Sequence, residues 1–172
     1  MANLRQITPA LASSYKAVRL RALEDTPAAF GSTYARESQF TDADWQQRTA
    51  NLCTPRSIGY LAHHPDEYCG IHDEYCGIAV AFLNEQNPQH AELMSMWVAP
   101  EQRRTRTGQL LVEAIQSWAR SSGAHTLQLM VTSKNLAAIA FYERLGFTPT
   151  GRTEPYPPNP ALTQFEMSTS IR

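Results

Sequence analysis

The chain has 172 residues, 42% of them apolar and 18% charged, with a formal net charge of −1. That length fits one domain of about 100–200 residues, here residues 1–172, able to bury roughly two thirds of its unfolded surface without disulfide or metal. The near-neutral charge argues against nucleic acid as a partner. No apolar run reaches the roughly 20 residues of a membrane span, and the opening Met-Ala-Asn-Leu-Arg lacks a secretory leader's apolar stretch, so the expected compartment is the cytoplasm.

A short strand is predicted over 4–8, stopped by Pro9. A helix follows over 10–24, where Leu11, Tyr15, Val18 and Leu23 recur at helical spacing before Pro27. Thr41 caps a second helix that carries Asp44 in its first turn and Trp45 as an anchor. Strands are expected over 57–62, 77–83 and 91–98, the last two joined by a turn at Gln86, Asn87 and Pro88. The next helix, 108–120, presents Leu111, Ile115 and Trp118 on one face and stops at Ser122 and Gly123. Then come a strand over 127–132, a helix over 137–145 closed by Gly146, and strands over 147–151 and 164–170. The proline-rich stretch 154–160 leaves no room for a helix. The order β-α-α-β-β-β-α-β-α-β-β describes a mixed α/β domain without an internal linker.

Two sequence features stand apart from this pattern. Residues 66–71 and 73–78 are the same hexapeptide, Asp-Glu-Tyr-Cys-Gly-Ile, shifted by seven. An odd shift puts the two copies on opposite faces of one strand. The second copy runs into the apolar residues 79–82 and is expected to hold the strand, the first to form a lengthened hairpin or a disordered loop. His63, His64, Cys69, His72 and Cys76 also fall within fourteen residues. Zinc accepts such ligands, but no pair has the usual spacing, so no metal site is expected.

Charge is segregated: residues 1–56 carry net +2, residues 57–102 net −7 without a single Lys or Arg, and residues 103–172 net +4. Such a chain suits a cationic and an anionic group bound side by side, or simply has solvated charged faces.

Chemistry concentrates in two stretches. From Trp97 to Leu111 a strand gives way to a loop with Arg103, Arg104 and Arg106, and a helix then opens near Thr107 and Gly108. Unpaired N–H groups at a helix start attract phosphate, and arginine adds fork-shaped donors. An ordinary basic loop before a well-started helix fits equally. The second stretch runs from Asn135 to Phe147: Ala138 and Tyr142 share a helix face, and Asn135 sits at the strand-to-helix handover. The Tyr142 phenol is either a proton donor or a core aromatic with its hydroxyl at the edge.

Together the stretches resemble the GNAT family, the Gcn5-related N-acetyltransferases that use acetyl-CoA. The resemblance rests on Val98-Ala-Pro-Glu followed by Arg103 and Gly108, and on Asn135, Ala138, Phe141, Tyr142, Gly146 and Phe147 at their spacing. Residues 21–32 also resemble the first-helix region of one bacterial group. The resemblance implies a single-domain GNAT-like α/β fold, a mixed and mostly antiparallel sheet of six to seven strands with about four helices. It implies that the strand ending at Met96, Trp97 and Val98 splays from its neighbour to admit the pantetheine arm. Arg104, Thr105, Arg106, Thr107, Gly108 and Gln109 would cradle the pyrophosphate; Arg103, Asn135, Ala138, Phe141 and Tyr142 would also contact the cofactor. A backbone N–H near Val98 would polarise the thioester, a small-molecule or peptide amine would attack it, and Tyr142 would protonate the CoA thiolate. A homodimer is the family's common habit.

Three departures stand out. Arg104 and Arg106 occupy loop positions where the family commonly has glycine, so Arg106 either hinders the backbone's approach or supplies its own contact. Met130 stands where ribosomal-protein acetyltransferases of this family carry a basic glutamate. The repeated hexapeptide lengthens one strand connection. The general base then falls to Glu92, acting through water, although a solvent-facing strand residue reads the same way. Two other classes of function compete with the enzyme: a non-catalytic acyl-CoA-binding module and a zinc-binding regulatory domain.

Overall fold

The computed structural model describes residues 2–64 and 75–172. Seven strands form one sheet in the order β1-β2-β3-β4-β5-β7-β6. They are β1 (Asn3–Gln6), β2 (Ser57–His63), β3 (Gly77–Leu83), β4 (His90–Val98), β5 (Thr126–Thr132), β6 (Thr148–Pro155) and β7 (Thr163–Ser170). Every neighbouring pair is antiparallel except β4 with β5.

The two faces of the sheet are covered by different helices. On one lie α4 (Thr107–Ser121) and α5 (Leu136–Arg144). Leu111, Val112, Ile115 and Tyr142 pack there against Ala79, Ala81, Leu93, Leu127 and Leu129. On the other lie α1 (Ala12–Asp25), α2 (Tyr34–Glu37) and α3 (Asp42–Ala50). Tyr15, Val18, Leu23 and Trp45 meet Leu61, Ile78, Val80 and Trp97 on that face. Alternation along the strands sets this division: odd residues of β3 face α4, and even ones face α1. Thr41 caps α3 as expected, and Asp44 makes the cap reciprocal, the Thr41 N–H donating to Asp44 Oδ2 (2.7 Å) and the Asp44 N–H to Thr41 Oγ1 (3.2 Å).

The predicted order is recovered with one addition, the four-residue α2, opened by Thr33, whose Oγ1 accepts from the Arg36 N–H. Two expected boundaries are corrected: β1 spans Asn3–Gln6 rather than 4–8, and β6 runs to Pro155 rather than stopping at 151. It is the edge strand, bonded only to β7, so Pro149 and Pro155 cost it little. A register shift between Pro149 and Thr153, with Gly151 at φ +93°, absorbs the irregular middle. Of the second hexapeptide copy, Gly77 and Ile78 open β3 as expected, while Asp73 and Glu74 lie outside the described residues. Cys76 N–H donates to Ala62 O and Ala99 N–H to Cys76 O, both at 2.8 Å, so the ladder continues upstream of Gly77. The first copy, with Cys69 and His72, lies outside the described residues. Among the described residues no helix is long and apolar enough to cross a membrane.

Candidate active site

The parallel pairing of β4 with β5 covers only His90–Thr126, Ala91–Leu127 and Glu92–Gln128. Both strands continue, β4 to Val98 and β5 to Thr132, but they no longer bond each other. The cause lies in β4, where Ser95 has φ +53° and the register against β3 slips between Ile78 and Val80. This bulge resets the alternation. Leu93 faces α4, Met94 and Ser95 both belong to the opposite face, and Met96 returns to the α4 side.

A cleft of about 940 Å³ occupies the gap. It is lined from the α5 side by Leu129, Val131, Ala138 and Tyr142, and from the other face by Glu92, Met94, Gln128, Met130, Gln164 and Glu166. Residues 28–31 and Tyr156 wall it, and Tyr156 is held there by hydrogen bonds from its hydroxyl to the carbonyls of Pro27 and Phe30. The gap therefore passes through the sheet.

Tyr142 is 7% exposed and stacks edge-on with Phe141 and Phe147, ring centroids 5.2 and 5.5 Å away. Burial pushes its phenol well above the ordinary tyrosine range, so it holds its proton. Asn135 opens α5, its Oδ1 accepting from the Ala138 N–H (3.2 Å), and it lines the cleft. Glu92 points into the opposite face and accepts from Asn84 Nδ2 (2.6 Å).

The loop after β4 is organised from within. Thr105 Oγ1 donates to Gln102 O (2.7 Å) and lies 2.8 Å from Thr107 Oγ1, which also meets His64 Nε2 at 2.9 Å. The first helical bond of α4 runs from Leu110 N–H to Arg106 O, so the N–H groups of Gly108 and Gln109 have no helical carbonyl to bond. Arg104 and Arg106 are exposed beside them. Gly108 is needed for space: a Cβ there would lie 3.1 Å from Phe141 Cζ. That contact places Phe141 behind the helix start.

The two glycine departures differ. Arg104 adopts the left-handed φ (+64°) that glycine would favour. Arg106 sits at φ −80°, ψ 0°, which any residue tolerates, so nothing in its backbone calls for glycine. Two other candidates are turned away from the gap. The Trp97 indole is buried on the α1 face, its Nε1 donating to Asp25 Oδ2 (2.8 Å). Arg103 pairs with the same Asp25 and donates through Nε to Val98 O (3.0 Å). Their backbone stays at the site, but their side chains fasten β4 and its loop to the end of α1. Burial raises the Asp25 carboxyl, yet hydrogen bonds from Thr26, Trp97 and Arg103 outweigh it and hold it below the usual range.

Sequence reading missed Glu166. It is 9% exposed, lines the cleft, and is fixed by the Thr150 hydroxyl (2.9 Å) and Arg152 (3.2 Å). Its place was visible only once β7 was known to lie against β5.

Residues 20–147 match the acetyltransferase (GNAT) family model. The chain belongs to the acetyltransferase (GNAT) family. The family is one of acetyltransferases, so acyl transfer is its reaction class. The uncharacterized N-acetyltransferase YobR of Bacillus subtilis is 35% identical over 57 residues, a match spanning 33% of this chain and 23% of YobR's own length. The fold is similar to that of a GNAT-family acetyltransferase from Streptococcus pneumoniae, with TM-score 0.75 and 20% identity over 100% of both chains. It is equally similar to yncA from Salmonella typhimurium, solved with its cofactor acetyl-CoA: TM-score 0.75 and 17% identity over 100% of this chain and 95% of that one. The described part of the Cys/His stretch makes other contacts: Cys76 is buried and His64 bonds Thr107.

Proposed function

We propose that this chain is a cytoplasmic N-acetyltransferase, one domain over residues 1–172, that moves the acetyl group of acetyl-CoA to a primary amine of a small molecule or peptide. The observation that carries the reading is the gap through the sheet, with the Tyr142 phenol on one face and the Glu92 carboxylate on the other.

Gly108 and Gln109 N–H, with Arg104 and Arg106, bind the pyrophosphate. The pantetheine arm lies along the unpaired edge of β4 at Met96 and Val98. The amine nitrogen attacks the thioester carbonyl, a backbone N–H of β4 stabilises the oxyanion, and the carbon–sulfur bond breaks. Tyr142, protonated at neutral pH like any tyrosine and kept so by burial, gives its proton to the leaving thiolate. Glu92 receives the amine's proton through water. Glu92, Glu154 and Glu166 all border the acceptor side, which favours a substrate arriving as an ammonium.

Calorimetric titration of acetyl-CoA, followed by CoA release with a panel of primary amines, tests the proposal. Micromolar binding with amine-dependent release supports it. Absence of binding at millimolar acetyl-CoA overturns it, and binding without turnover by any amine leaves only a non-catalytic acyl-CoA module.

A further inference from the structure

The β4 bulge is held by a group that the mechanism above does not use. Ser95 adopts φ +53°, which its Cβ disfavours. Its hydroxyl accepts a hydrogen bond from Arg19 Nη1 (3.0 Å). Arg19 is 5% exposed, and the same guanidinium is clamped by Glu37, Nε to Oε2 at 2.9 Å and Nη2 to Oε1 at 2.8 Å. Glu37 is 1% exposed and also pairs with Arg48 Nη1 (3.4 Å). The Phe30 ring lies under the guanidinium, 4.7 Å from centroid to Cζ. The Arg19 fork is thus held by Glu37 through Nε and Nη2 and by the Phe30 ring, while its Nη1 is directed at Ser95.

We infer that Arg19 is a positioning residue for acetyl transfer: through Ser95 it holds the β4 bulge that keeps the strand apart from β5 and aims its backbone N–H groups into the gap. Three observations converge on this. The bulge is where the face of β4 changes, between Leu93 and Met96. It adopts a backbone conformation that needs an external hold. The hold is a buried, bidentate, charge-assisted contact, the kind with least freedom. The inference rests on the proposed transfer reaction for its catalytic half only. The geometric half concerns the bulge itself.

The test uses Ser95→Ala, Arg19→Lys and the double variant in the full chain. Ser95→Ala leaves the Arg19–Glu37 pair intact and guards against misfolding of the arginine variant. Hydrogen exchange of the amides from Met94 to Trp97 reads the bulge directly. Both single variants are expected to exchange faster there, with the rest of the sheet unchanged. With an accepted amine, kcat is expected to fall about tenfold while acetyl-CoA affinity moves less than about twofold. The double variant is expected to be no slower than the worse single one, because both act through one contact. Unchanged exchange over Met94–Trp97 in Ser95→Ala overturns the inference whether or not any amine is accepted. Faster exchange with wild-type kcat, or independent multiplicative effects, overturns the catalytic half. If the wild type acetylates nothing, the proposed function fails, and the exchange result still decides the structural half.

Discussion

Glu166 stands directly opposite Met130 in the antiparallel pair of β5 and β7, and both side chains line the same cleft. Cross-strand partners carry their Cβ atoms about 5 Å apart on one face. The carboxylate missing at position 130 is thus present one strand over, fixed by Thr150 and Arg152. Each carboxylate oxygen has two lone pairs, so an incoming ammonium still finds acceptors. Glu166→Gln is expected to raise KM for the acceptor several-fold and leave the acetyl-CoA dissociation constant unchanged. Steady-state kinetics with the amine varied, beside calorimetry of acetyl-CoA, checks both halves.

Tyr142 supplies a second prediction. Tyr142→Phe should bind acetyl-CoA as the parent does and release CoA at least tenfold more slowly, in line with what a positioned acid contributes. Equal release would remove Tyr142 from the reaction. The buried phenol also gives a pH signature for stability. Its folded pKa is raised, so the unfolded chain loses the proton first as pH climbs past about 10. The stabilisation is complete below that pH and is lost above it, at up to about 1.4 kcal/mol per pH unit. Denaturant titrations between pH 9 and about 11 should show this extra slope in the parent and not in Tyr142→Phe.

Asp25 joins Trp97 and Arg103 to the end of α1. Asp25→Ala leaves the Trp97 N–H without its acceptor, which costs about 1–3 kcal/mol for a buried donor. Thermal melting should record the loss. Because the carboxyl is depressed in the fold, its contribution is present above the ordinary aspartate range and disappears as pH falls through the lowered value. The difference between parent and variant should therefore shrink in acid.

Arg104 holds a glycine-like backbone with a full side chain. Relief of its strain, about 1–2 kcal/mol, opposes the greater freedom glycine brings to the unfolded chain, about 0.5–1 kcal/mol. Arg104→Gly should therefore melt no lower than the parent. Loss of an exposed cation beside the pyrophosphate should weaken acetyl-CoA by up to about fivefold, and less so at high salt. A lower melting temperature would mean that the guanidinium stabilises the loop in the free protein.

The strands and main helices were legible because their signals are local: alternation in 77–83, helical spacing in 108–120, the Thr41 cap. What escaped depends on partners far along the chain. Nothing around Ser95 marks a left-handed residue, since its hold comes from Arg19, 76 residues away. The ties of the Trp97 and Arg103 side chains to Asp25 could not be read locally, because only the fold brings Asp25 within their reach. Glu166 sits on an ordinary strand, and its use follows from β7 inserting between β5 and β6. The side chains that cap or fill an element could be read locally, whereas those that tie two elements together could not.

The cleft between β4 and β5 is lined by residues from both faces of the sheet. In the proposed reaction a donor on the α5 face and an acceptor beside residues 28–31 would use different sides, so neither would have to depart before the other arrives. Both would then sit in the protein at once, separated only by the bond to be made. Double-reciprocal plots at several fixed donor concentrations should then give intersecting lines, not the parallel ones of a shuttle that carries the acyl group on its own side chain.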